Sequence, residues 1–129
     1  MVVDASALLA ILLDEPERRR FDELIESDSR RLLSAATLVE AGIALERRLG
    51  EAAGRELDLF LHRARFEIVP VDSDQAEIAR AAYRKYGMGR HAAGLNFGDC
   101  FSYALAKATG EPLLCKGADV ARTDVDIAG

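Results

Sequence analysis

Short apolar runs alternate along the chain with longer segments in which apolar residues return every three or four positions. Val2-Val3 is a minimal strand. Ala7 to Leu13 reads as a short helix stopped by Asp14-Glu15-Pro16, because proline cannot continue the hydrogen bonding of the turns before it. Phe21, Leu24 and Ile25 then follow helical spacing on a strongly charged segment, and Leu32-Leu33 forms a second short strand. Leu38, Ala41, Leu45 and Leu49 stripe a helix ended by Gly50, and Leu57, Phe60, Leu61 and Ala64 stripe another. Phe66 to Val71 is a β-rich run, after which Ala79, Ala82, Tyr83 and Tyr86 recur at helical spacing. A glycine-rich connection, Gly87 to Gly98, leads into a helix with Phe101, Ala104, Leu105 and Ala108 on one face. Pro112-Leu113-Leu114-Cys115 is a further strand, and Val125 to Ile127 reads as the last.

Strands separated by helices are the sequence form of a parallel sheet covered on both faces. Strands buried on both sides carry continuous apolar runs, as these do. The expected fold is therefore α/β, a single domain over residues 1–129 with a central parallel sheet flanked by helices on both faces. A chain of 129 residues, half of them hydrophobic, supports this; at this mass folding buries ~67% of the unfolded surface.

Charge and cysteine content narrow the chemistry. Seventeen basic against twenty-two acidic residues give a net charge of −5, which excludes nucleic-acid binding by bulk charge. No direct DNA binding is expected. Cys100 and Cys115 are the only cysteines, too few for a cysteine zinc site, and read as buried thiols in a reducing cytosol. No apolar run approaches the ~20 residues of a membrane span, and Met1 leads straight into Val2-Val3-Asp4 rather than a signal segment. A cytoplasmic protein is expected.

A parallel α/β sheet places its active site beyond the carboxyl ends of its strands. Four acids fall at such junctions: Asp4 after the first strand, Glu40 in the helix after Leu32-Leu33, Asp99 after the glycine-rich connection, and Asp119 beyond Cys115. Carboxylates gathered together raise one another's pKa, a conflict that a divalent cation removes. Oxygen donors suit Mg²⁺ or Mn²⁺, which activates water and neutralises charge on a phosphodiester. Ser6, two residues past Asp4, is placed to support that carboxylate. On these grounds Asp4→Asn is expected to raise metal-free stability.

Capping competes with this reading at every position. Thr37-Leu38-Val39-Glu40 fits an S/T-x-x-E capping box, and Asn96 to Asp99 has the same spacing. Asp4 suits a helix N-cap and Asp119 a turn after Gly117. Spacing alone leaves both readings open. Other chemistries lack their residues: Ala92 stands where a third dinucleotide-binding glycine belongs, there is no P-loop sequence, and no serine or cysteine has nucleophile-elbow glycines.

The combination of segments carries more. Val2-Val3-Asp4-Ala5-Ser6-Ala7-Leu8, Asn96-Phe97-Gly98-Asp99-Cys100-Phe101-Ser102-Tyr103-Ala104-Leu105-Ala106, and Pro112-Leu113-Leu114-Cys115-Lys116-Gly117 with Asp119 and Thr123-Asp124 stand in this order along the whole chain. Together they resemble PIN-domain ribonucleases, in particular the VapC-type toxins of bacterial toxin–antitoxin pairs. The resemblance implies a metal-dependent endoribonuclease that cuts RNA and blocks translation, forms homodimers, and is neutralised by a cognate VapB-type antitoxin. It implies that Asp4, Glu40 and Asp99 form the acidic metal site, with Asp119 as a less constant fourth acid. Ala118 and Val120 depart from the family pattern around that residue, which leaves Asp124 as an alternative for its role. RNA contacts are expected from Arg90, His91 and Lys116, with His62 structural or exposed. A non-catalytic PIN-like module that binds RNA or an antitoxin is the alternative reading.

Overall fold

The computed structural model describes residues 1–129. Four parallel strands, β1 (Val2–Val3), β2 (Leu32–Ser34), β3 (Glu67–Val69) and β4 (Leu113–Leu114), line up in the order β3-β2-β1-β4. Val2 pairs with Leu32 on one side and Leu113 on the other, and Val3 pairs with Leu114. Side chains alternate across a strand, so this register sends Val3, Leu33 and Leu114 to one face and Val2, Leu32 and Leu113 to the other. Each set nucleates its own core.

Against the first face pack α1 (Ala5–Leu12), α2 (Arg18–Ser27), α3 (Ala35–Leu49) and α4 (Glu51–Arg63), through Leu8, Ile11, Phe21, Ile25, Leu45 and Leu57. Against the second lie α5 (Ser73–Tyr86) and α6 (Phe97–Thr109), through Ala79, Tyr86, Tyr103, Ala104 and Leu105. Arg31 joins the helices of the first layer. Its Nε donates to the Ile25 carbonyl at 2.7 Å and its Nη1 to the Ala64 carbonyl at 2.7 Å, so one guanidinium serves the C-terminal ends of α2 and α4.

The α/β class and the order of elements agree with the sequence reading; of the helical stripes, Leu49 at the end of α3 and Tyr83 on α5 are exposed rather than buried, and three further differences are of physical interest. Strand β3 lies at the sheet edge with Glu67 and Ile68 exposed, so it is not buried on both sides. Val125 to Ile127 contributes a single bridge, Ile127 to Leu113, rather than a strand, although Asp126 and Ala128 complete the outer hydrogen bonds of Leu113. Helix α6 starts at Phe97, and its buried stretch runs without a break from Ser102 to Ala106 while Ala108 is exposed. A helix wedged between the sheet and α5 is covered on several sides, which blurs any single apolar stripe.

Chain direction makes β1 the pivot. From β1 the chain moves to β2 and β3 on one side, then returns through α5 and α6 to β4 on the other. Carboxyl ends flanking such a switch point leave a crevice between divergent connections, and Asp4 immediately follows β1 there. Phe21 is the largest side chain fully enclosed in the first layer. Phe21→Ala is expected to lower unfolding free energy by about 3–5 kcal/mol, read from urea denaturation with an unchanged slope.

Candidate active site

Asp4 is the N-cap of α1 and stands at the carboxyl end of β1. Its carboxylate is only 4% exposed and no cation pairs with it. Three donors hold it instead. Oδ2 accepts from the Ser6 amide at 3.1 Å and the Ser6 hydroxyl at 2.7 Å, while Oδ1 accepts from the Ser102 hydroxyl at 2.6 Å. The single proton of Ser102 is committed to Asp4, so the Thr37 hydroxyl, 3.3 Å away, is the donor to Ser102. On the other flank Ser6 accepts from the Lys116 amide at 2.9 Å. Hydroxyls from α1, α3 and α6 thus converge on one buried carboxylate.

Glu40 does not cap anything. Helix α3 begins after Ser34, whose hydroxyl accepts from the Ala36 amide, and Thr37 is buried within the helix. The capping-box reading of Thr37 to Glu40 is therefore overturned by a helix that starts one turn earlier than that motif requires. The Glu40 carboxylate instead lies against the Cα of Gly98, in the first turn of α6. Partial burial raises its pKa, and the nearby Asp4 and Asp99 charges raise it further. No hydrogen bond or cation offsets that push.

Asp99 caps its helix and also stands close enough to Asp4 and Asp119 for their charges to act on it. Its Oδ2 accepts from the Asn96 amide at 3.0 Å while its own amide donates to Asn96 Oδ1 at 2.9 Å, a reciprocal capping box. Burial, with the charges of Asp4 and Asp119, still carries its pKa above the usual carboxylate value, against the opposing Asn96 amide. Asp119 itself is exposed in the turn that opens the short 3₁₀ segment Val120–Arg122, with its main-chain carbonyl accepting from Arg122. Beneath the acids, burial and then Asp4, Asp99 and Asp119 push the Cys115 thiol up to about 11; burial and Asp99 push Cys100 up to about 11. Both thiols are free and remain protonated near neutrality, so soft-metal ligation is disfavoured.

The remaining candidates separate. Asp124 is drawn away from the cluster: it accepts from the Tyr103 hydroxyl and from Lys107 Nζ at 3.0 Å, and these two partners hold its pKa low. Asp124 is thus tied to Tyr103 and Lys107, whereas Asp119 is the acid whose charge acts on Asp99. Lys116 is engaged by Glu15 at 3.1 Å and Glu17 at 3.7 Å, which neutralise it on the protein's own surface. His91 accepts from the Ala93 amide through Nδ1 at 2.9 Å and stands edge-on to Tyr86, so it shapes its loop. Arg90 is exposed in that loop with no acidic partner. His62 lies exposed near the end of α4, away from the acids. Ser102 and Thr37 were missed from sequence; the one available signal was a hydroxyl pair inside otherwise apolar helix faces.

No three His, Cys, Asp or Glu side chains stand close enough to form a closed metal cage. The donor chemistry nevertheless suits a hard cation: carboxylate oxygens, unreactive thiols and no resident counter-charge. Mg²⁺ takes one or two carboxylates and keeps several waters, so it does not need a cage.

Comparison with known proteins agrees with the crevice geometry. The PIN domain family model matches residues 1–126. Ribonuclease VapC30 of Mycobacterium tuberculosis is 58% identical over 125 residues, covering 97% of this chain and 95% of its own. Among solved structures, M. tuberculosis VapC20, a Sarcin-Ricin loop cleaving toxin, superposes with a TM-score of 0.79 at 18% identity, covering 96% of this chain and 95% of that one. A toxin–antitoxin complex from Klebsiella pneumoniae gives a TM-score of 0.69 at 19% identity, covering 95% of this chain and 92% of that one. The chain belongs to the PIN-domain family, within its VapC ribonuclease branch.

Two expectations follow from the site. A raised folded-state pKa means that Glu40 holds its proton more tightly in the fold than in the unfolded chain. Without metal, stability therefore falls as pH rises from the ordinary value of 4.5 through the elevated one toward neutrality. Asp4, held by three donors, is not where relief lies; the expected gain moves from Asp4→Asn to Glu40→Gln. In metal-free buffer Glu40→Gln should melt above wild type at neutral pH, with the gap closing on acidification; equal melting temperatures at pH 7 would show that no repulsion is stored there. Ser102→Ala removes a buried donor to a carboxylate and strands Thr37, and should cost about 1–3 kcal/mol in urea unfolding.

Proposed function

We propose that this protein is a divalent-metal-dependent endoribonuclease, the toxin of a toxin–antitoxin pair, whose cleavage of RNA inhibits translation. The observation that carries this reading is Glu40. A carboxylate with no hydrogen bond, set against Gly98 and facing the charges of Asp4 and Asp99, is a group to which a cation would be drawn. A module that only bound RNA or an antitoxin would have no use for that arrangement.

Asp4, Glu40 and Asp99 would surround the ion, one or two of them touching it and the others meeting it through its waters, with Asp119 in its exposed turn as the outlying fourth acid. Mg²⁺ or Mn²⁺ bound there supplies an activated water and neutralises charge on the phosphodiester under attack. The chain's own groups do the positioning. Ser6 and Ser102 fix both oxygens of Asp4, which leaves that carboxylate no rotation to lose on binding. The capping box fixes one oxygen of Asp99 and leaves the other toward the crevice. Glu40, unconstrained by hydrogen bonds, is the group best able to accept a proton from the attacking water. Arg90, free of acidic partners, is the cation we assign to the RNA backbone; Lys116 and His91 are occupied locally.

The cognate VapB-type antitoxin and the homodimer belong to the same reading. Apolar surface beside the site supports the latter, with Phe97 78% and Met88 59% exposed. No helix is long and apolar enough to cross a membrane, in keeping with a toxin that acts on RNA inside the cell.

Purified wild type and Asp99→Asn should be incubated with total bacterial RNA and Mg²⁺, Mn²⁺ or EDTA. An amide oxygen still accepts from Asn96, so the helix start survives the substitution. Discrete fragments are expected from wild type with either metal, none with EDTA, and a loss of roughly 100-fold or more in Asp99→Asn. Intact RNA with well-folded wild type and either metal would instead favour the binding module.

A further inference from the structure

We infer that Gly98 is a positioning residue for Glu40, kept without a side chain so that the carboxylate can occupy the first turn of α6. The inference rests on the metal-site reading above and adds to it a residue that touches neither ion nor RNA.

Gly98 is the second residue of α6, between Phe97 and Asp99. Its backbone is not left-handed, so nothing in the chain's path demands glycine there. Helix propensity argues against it, since glycine is the least favourable residue after proline in a helix. What the position has instead is an occupant. A methyl group placed on Gly98 would lie 2.5 Å from Cδ and 2.6 Å from Oε1 of Glu40, and closer still to Oε2. The three nearest atoms all belong to that one carboxylate, the far end of a flexible side chain.

The group that an alanine meets first is therefore the end of Glu40, and that end has to move. Glu40 reaches across from α3, so the carboxylate would swing off the α6 turn that carries Asp99. Distance from Asp99 and Asp4 would increase, and the set of oxygens offered to a cation would lose a member. Gly98→Ala should accordingly stabilise the metal-free protein and weaken its metal site, two effects of opposite sign from one methyl group. Helix propensity alone would give the first effect, and only a displaced carboxylate gives the second.

The test uses the full chain as wild type, Gly98→Ala, Glu40→Gln, Glu40→Asp and the doubles of Gly98→Ala with each Glu40 variant. Metal-free melting and Mn²⁺ titration calorimetry are the readouts, with RNA cleavage alongside. Gly98→Ala should melt no lower than wild type, and its Mn²⁺ affinity should fall by roughly 10-fold or more. Adding Gly98→Ala to Glu40→Gln should change Mn²⁺ affinity little further, because the displaced group is already gone. Adding it to Glu40→Asp, whose side chain is one methylene shorter, should cost less than it does in wild type, because the methyl then has room. Wild-type Mn²⁺ affinity in Gly98→Ala, equal losses in every background, or a marked drop in melting temperature would each overturn the positioning role while leaving the metal site standing. No Mn²⁺ binding by wild type would bring down the metal site itself, and this inference with it.

Discussion

A negative charge buried at the end of β1 has to be held, and hydroxyl groups hold it. Asp4 sits where the sheet changes direction, shut away from water, with Ser6 on one oxygen and Ser102 on the other. A salt bridge there would supply the missing positive charge permanently and close the site to any other cation. Hydroxyls satisfy the oxygens without neutralising them, so the negative potential survives folding. Thr37, Ser102 and the Lys116 amide extend this support into α3, α6 and the segment after β4. Every element that brings an acid to the crevice is thereby bonded, directly or at one remove, to the same carboxylate.

Around that fixed point the other acids are held with decreasing firmness. Asp99 is half committed to its helix, Glu40 rests on a glycine, and Asp119 stands in an open turn. Such a gradient would suit a hydrated ion: the fixed carboxylate would locate it, and the looser ones would be free to adjust around its waters.

The layering was legible in the sequence because two-residue apolar strands such as Val2-Val3 and Leu113-Leu114 have no polar face to offer, which forces cover on both sides. The site was legible only in part. Asp4 and Glu40 were singled out by their place after strands and Asp99 by its place after a glycine-rich connection, but capping and ligation use the same residue types at the same spacing. Asp99 does cap its helix, and for Glu40 the helix start at Ser34 removes the capping role. Ser102 and Gly98 carry no signature of their own. A buried serine matters for what lies across from it, 98 residues away in sequence in the case of Asp4, and a glycine for what would collide with a methyl. Asp124 showed the converse: near Asp119 in sequence, it is drawn off by Tyr103 and Lys107.

That last pairing says something about the segment carrying Asp119. Its beginning is stitched to Ser6 through the Lys116 amide, and its end is clasped to α6 through Asp124. Between the two knots the chain turns over Gly117 and a single 3₁₀ loop, with Val120 tucked inward as the one apolar anchor. The segment is a short span pinned at both ends and once between them, where Arg122 Nη1 donates to the Ala92 carbonyl, so Asp119 is carried by a fastened backbone while its own carboxylate caps nothing.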